Sequence, residues 1–207
     1  MISQSEASLA IIKKSEDNAD LRNGKSTKAV SERNETDANY VLDIGAIESL
    51  RIPDGWIEKS PMPSEWATEC LSRDFSPVDD ENSTLSSFFR GSLISEASAF
   101  RFKRLLEEPA HELAEDEIFS IQQVLSKMAE KDAFEMRSLH TSEIAGKRVL
   151  IIDGEWKSTK MQFHGILFNA DESGRAIQEI FFEAPLTPFL KYLADVVACI
   201  GSIKWKS

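Results

Sequence analysis

The sequence predicts an α+β fold, an antiparallel β-sheet with helices packed on its faces. Three observations predict it. Between residues 134 and 184, four short β-type runs, FEMRSLH, KRVLIIDGEW, KMQFHGILFN and RAIQEIFFEA, follow one another closely enough for an antiparallel meander. Ahead of them, from Ser95 to Ala129, apolar residues recur at helical spacing. Behind them, Pro185 and Pro188 stop the meander and PFLKYLADVVACIGSI reads as a closing helix, with Phe189, Leu193, Val196, Val197 and Ile200 inward. Segregated strands and helices are the pattern of an α+β domain.

Residues 1 to 40 are rich in Ser, Asn, Asp, Glu and Lys, and no aromatic residue precedes Tyr40. Such a segment has too little to bury against its ordering entropy, so it is expected to be a disordered polar tail, with one domain over residues 41–207. YVLDIGAIESLRIP is apolar enough for a short strand or helix, and Pro53, Asp54 and Gly55 then form a turn. WIEK and WATECLSRDF follow as strands, the second with Trp66, Thr68 and Cys70 on one face, and the loop SPVDDENS separates them from a strand in STLSSFFRGSL.

In the centre, Ala99, Phe102, Leu105 and Leu106 define a first helix that ends at Pro109. Leu113, Ile118, Ile121, Leu125 and Met128 define a second over His111–Ala129, whose early acids Glu112, Glu115, Asp116 and Glu117 complement the helix dipole. Within the meander, DESG between Asn169 and Arg175 signals a hairpin. Thr187 is the expected cap of the closing helix.

Composition narrows the function. The chain has 207 residues, 42% hydrophobic and 29% charged, with a net charge of −11 and a pI near 4.8. That balance disfavours nucleic-acid phosphates and anionic lipid, which want clustered Lys and Arg. No run approaches the roughly 18–20 apolar residues of a membrane span. The N-terminus lacks the charge and apolar order of a secretory signal, and Cys70 and Cys199 form no CxxC pair, so a reducing, cytoplasmic setting is expected.

No chemical motif is complete. NGKSTK carries the Gly-Lys-Ser end of a phosphate loop, but Ala19 stands where its first glycine belongs and no strand precedes it. His111, His140 and His164 are dispersed, and the acids from Glu107 to Glu117 lack the central glycine of a calcium loop. Asp153, Glu155, Glu179 and Glu183 are expected on the solvated face of the meander, although carboxylates beside His164 would also suit a small hydrolase. No catalytic residue, cofactor or metal is therefore predicted. The aromatics exceed what one sheet face needs, because neighbours such as Phe88 and Phe89 point opposite ways. Trp56, Trp66, Phe88, Phe163 and Phe181 are the candidate partner-binding residues.

IPDGW at the domain entrance, EIAGKRVLIIDGEW, the hairpin GILFNADESGRAIQEIFFEAP and the final IGSIKW together resemble the PsbP-like superfamily over about residues 50–205. The resemblance implies an αβα sandwich around an antiparallel sheet. It also implies a role in binding proteins, as in the photosystem II extrinsic protein P, the Ran-binding import factor and the chaperones of type VI effectors. The expected function is thus a non-enzymatic, cytoplasmic, protein-binding accessory factor, an adaptor or chaperone. A small hydrolase or ligand-binding enzyme using carboxylates near His164, and an immunity-type or photosystem-associated accessory protein, are the alternatives.

Overall fold

In the computed structural model, residues 40–59, 71–91 and 94–207 are described. Residues 1–39 of the predicted tail, Trp66 and Cys70 lie outside these residues, and Tyr40 begins a strand. The described residues hold ten strands and four α-helices, grouped in blocks. They are β1 (Tyr40–Ile44), β2 (Ile47–Arg51), β3 (Trp56–Glu58), β4 (Leu71–Pro77), β5 (Thr84–Gly91), α1 (Glu96–Glu107), α2 (Glu115–Ser120), α3 (Gln122–Leu125), β6 (Phe134–Ile144), β7 (Lys147–Trp156), β8 (Gln162–Asn169), β9 (Ile177–Ala184), α4 (Leu186–Gly201) and β10 (Lys204–Trp205). No described helix is long and apolar enough to cross a membrane.

The main sheet has seven strands in the order β3-β4-β5-β9-β8-β7-β6, every pair antiparallel. The predicted meander is therefore real, and it meets the N-terminal strands through β5 and β9. Period-two alternation sends successive residues to opposite faces, and both faces are covered. Ile166, Phe168, Ile180 and Phe182 face α4 together with a small sheet of order β1-β2-β10. Leu150, Ile152, Leu167 and Ile177 face α1 to α3.

The small sheet is tied down by a buried amide. Gln178 accepts the Ala46 N–H (2.8 Å) and donates to the Ile44 carbonyl (3.0 Å), closing the turn between β1 and β2. Gly45 in that turn has φ +54°, and a Cβ there would lie 2.2 Å from the Gln178 amide oxygen. Both the backbone conformation and the space demand glycine.

Four expectations need correction. The first helix forms with Ser95 as its N-cap, accepting the Ser98 N–H, but the second does not run unbroken from His111 to Ala129. Residues 111–113 instead pair with β6, through the Leu113 N–H to Leu139 O (3.0 Å) and the Thr141 N–H to His111 O (2.9 Å). Helical structure starts only at Glu115, breaks at Ile121 and tightens to a 3-10 turn over Ser126–Ala129, where Ser126 takes φ +55°. Backbone pairing with the sheet edge has outweighed local helical period.

Thr187 does not cap α4, whose N-cap is Pro185 with no side-chain bond. Val197 is exposed, and Tyr192 and Cys199 point inward with Phe189, Val196 and Ile200. Finally, Glu179 and Glu183 do not lie on a solvated face, because α1 to α3 cover that side of the sheet. Glu179 is buried and Glu183 half-buried.

Candidate functional site

On the helical side of the sheet, four aromatic rings assemble from four strands. Phe163 of β8 stacks on Phe181 of β9 (centroids 5.6 Å apart, 17° between planes) and meets Phe134 of β6 edge-on at 5.6 Å. Trp156 of β7 packs edge-on against Phe134 at 4.9 Å. Gly154 makes room for this arrangement, since a Cβ there would fall 2.2 Å from the Phe134 ring and 2.6 Å from the Glu135 carbonyl oxygen.

The aromatic floor opens into two adjoining concavities that share Met128. The smaller, about 190 Å3, is bounded by Trp156, Phe163, Phe181, Arg90, Glu179 and Glu183 among others. Its polar wall is closed by a bidentate pair. Arg90 Nε and Nη2 donate to the two Glu179 oxygens (3.1 and 2.9 Å), and Arg90 Nη1 reaches the Val124 carbonyl of α3 (2.9 Å). Burial and the neighbouring Glu179 charge push the Glu183 carboxyl above its ordinary range, although the Trp156 indole N–H donates to it at 2.5 Å and opposes this.

The larger concavity, about 700 Å3, is a groove along the outer edge of β6. Leu113, Ile118, Met128, Phe134, Met136 and Leu139 form an apolar stripe in it, flanked by Glu112, Glu115, Lys131, Glu135, Arg137 and Lys157. Phe119 stands on its rim with 70% of its surface exposed. Among the described residues no named strand pairs with the outer side of β6. Residues 111–113 bond to it at Leu139 and Thr141, and the Phe134 N–H donates to the Glu130 carbonyl (3.0 Å), so among the described residues no strand covers Phe134–Ser138 where it borders the groove. Such an edge is a template for an added strand, and thioether side chains adapt to varied partners.

The other sheet face carries a polar patch at the β6–β7–β8 end. Asp153 Oδ1 lies 2.7 Å from His164 Nδ1, and Ser138 Oγ donates to Asp153 Oδ2 at 2.9 Å. Beside them, Arg137 and Gln162 bond Glu155, and Lys160 lies 3.4 Å from it. The three residues of the hydrolase alternative, Asp153, Glu155 and His164, are thus neighbours. The geometry is not that of a nucleophile relay, because Ser138 donates to the carboxylate and not to the imidazole. Neither concavity is lined by Asp153 or His164. Cys199 offers no alternative nucleophile, since burial pushes its thiol up to about 12.

Burial raises the Asp153 carboxyl, but the hydrogen bonds and charge of His164, with Ser138, outweigh it and leave the carboxyl below its ordinary range. A carboxylate depressed in the folded state stabilises above its unfolded pKa of about 3.9 and loses that contribution as pH falls through its folded value. The stability gap between the protein and Asp153→Asn is therefore expected to be fully present above about pH 5 and to close progressively below about pH 4. Urea midpoints across that range measure it, and an unchanged gap at the acid end would remove the ionised carboxylate from the account.

Of the candidate partner-binding residues, Phe163 and Phe181 line the small concavity. Phe88 is half-buried in β5, its Cα paired across the strands with Glu179. Trp56 is a core residue, 5% exposed, edge-on to Tyr192 at 5.6 Å and tilted against Phe182 at 5.9 Å. Its ring closes the end of the sheet against α4 and presents no surface to a partner. Phe119 and Met136 escaped the sequence reading, and Met128 was read only as part of a helix's inward stripe. Phe119 was detectable as a large aromatic beside Ile118, off the predicted inward stripe. The methionines were not, because nothing local distinguishes a groove-lining Met from a core one.

A solution structure of cyanobacterial PsbP (CyanoP) from Synechocystis sp. PCC 6803 superposes with a TM-score of 0.51 and 8% identity, covering 86% of this chain and 98% of that one. The fold is PsbP-like. A crystal structure of a Pseudomonas aeruginosa protein of unknown function, described as a putative regulator, gives a TM-score of 0.45 and 10% identity over 81% of this chain and 98% of that one. No family model and no curated protein sequence matches the chain. The PsbP-like frame supplies the sheet on which both concavities are built.

Proposed function

We propose that this PsbP-like protein is a non-enzymatic accessory factor, an adaptor or chaperone, that holds an extended apolar segment of a partner protein in the groove beside β6. The observation that carries this reading is the coincidence of a groove with an apolar stripe and a strand edge that no described strand covers over Phe134–Ser138. An extended peptide added to that edge would gain main-chain hydrogen bonds, and every second side chain would enter the groove. Met128 and Met136 suit a site that accepts more than one side-chain shape. The partner is expected in the cytoplasm.

Selection of random-sequence peptides displayed on phage against the full chain tests it. Enriched peptides are expected to alternate apolar and polar residues. They should bind at least about tenfold more weakly to a Phe119→Asp/Met136→Lys double variant, a loss of about 1.4 kcal/mol. Amide exchange over Phe134–Ser138 should slow on binding. No enrichment, or binders indifferent to the double variant, would overturn the groove reading.

A further inference from the structure

Where α1 ends and α2 begins, the chain brings Glu108, His111 and Glu117 together, with one potential ligand atom from each within 4.8 Å of the others. The hydrogen bonding of His111 poses a specific problem. Its Nδ1 lies 2.7 Å from the Pro109 carbonyl oxygen, which only accepts, so Nδ1 carries a hydrogen. In the neutral ring Nε2 is then a bare lone pair, and it faces Glu117 Oε1 at 2.9 Å. Two acceptors do not hold that contact without something positive between them, a proton or a metal ion.

We propose that Glu108, His111 and Glu117 form a site for a divalent transition-metal cation of the Zn2+ type, which takes the place of a proton between His111 Nε2 and Glu117. The donor set is a neutral imidazole and two carboxylates, whose two negative charges match the ion, with water completing a tetrahedron. Both supporting bonds of an ordered metal site are in place. The Pro109 carbonyl fixes the His111 tautomer and ring orientation, and the Ala114 N–H donates to the other Glu117 oxygen at 2.7 Å. Glu108 is held only by a long contact to Arg104 at 3.9 Å and is partly exposed, so it can turn toward the ion.

The sequence concealed this site, because a helix over His111–Ala129 puts His111 and Glu117 on different faces. Pairing of residues 111–113 with β6 releases His111 from that helix. A bound ion would join the end of α1, the segment paired with β6 and the start of α2. Leu113, between His111 and Glu117 in the chain, and Ile118, directly after Glu117, line the groove. The ion would therefore stiffen one groove wall, although the site stands whether or not the groove binds protein.

Calorimetric titration of the metal-free full chain with zinc chloride, repeated with Co2+ while recording visible absorption, tests the proposal. About one equivalent is expected to bind in the micromolar range, with the Co2+ bands of a four-coordinate nitrogen and oxygen site. His111→Ala and Glu108→Gln should each weaken binding at least about tenfold, while His164→Ala leaves it unchanged. Glu108 is partly exposed, so Glu108→Gln is expected to fold, and circular dichroism checks it. Absence of binding at micromolar metal, binding indifferent to both substitutions, or preference for Mg2+ or Ca2+ over Zn2+ would each overturn it. In the first case a proton alone closes the His111–Glu117 contact.

Discussion

Phe182→Ala is expected to cost about 3–5 kcal/mol of stability, the range for a buried Phe truncated in a packed core. Phe182 is fully buried, stacks on Phe189 of α4 (5.3 Å, 14°) and supports the tilted ring of Trp56. It lies where β9, the closing helix and the β3 corner meet, so no neighbour is free to collapse into the space left behind. Against a total of about 5–15 kcal/mol, such a loss removes much of the margin. At about 2–4 °C per kcal/mol for a domain of this size, the melting temperature should fall by roughly 6–20 °C. Leu190→Ala, on the exposed face of the same helix, should stay within about 0.5 kcal/mol. Denaturant midpoints separate the two, and a Phe182→Ala cost below about 1 kcal/mol would mean that the Phe182–Phe189–Trp56 packing is not a rigid part of the core.

Arg90→Met should be nearly as severe, by about 3–5 kcal/mol, for an electrostatic reason. The side chains of Arg90 and Glu179 are 13% and 8% exposed, so removing the guanidinium leaves a carboxylate with little water to replace it. Glu183 on the same strand, already raised partly by the Glu179 charge, makes an uncompensated second carboxylate still less favourable. Replacing both partners, Arg90→Met with Glu179→Leu, should recover a large part of the loss, because the buried charge goes with its counter-ion. Recovery should be incomplete, since Arg90 also bonds the Val124 carbonyl and so links the sheet to α3. A double variant no more stable than Arg90→Met alone would show that Arg90 acts mainly through its packing and its bond to α3.

The pair shows where reading the sequence stopped. Glu179 alternates with apolar Ile180 in a run that looks like a strand with one wet face, and an arginine on a distant strand gives no local sign of partnership. Asp153 and His164 were legible as residues of neighbouring strands, and the β7–β8 register that sets them side by side follows from the meander. The direction of the Ser138 bond, which separates this patch from a nucleophile relay, depends on a bulge in β6 between Met136 and Ser138 that no pattern announced.

By itself, the sequence determined the α+β class, the four-strand meander with its DESG turn, the first central helix and the closing helix. These rest on short-range periods and turn chemistry, which act between residues a few positions apart. Only the tertiary structure decided the β5–β9 junction, the burial of Trp56 and Glu179, the break of the second central helix and the meeting of Glu108, His111 and Glu117. Each depends on which surfaces a distant segment covers, and residues 111–113 show the reason. Their helical period was sound, but pairing with β6 and burial of the neighbouring helices against the sheet outweighed it.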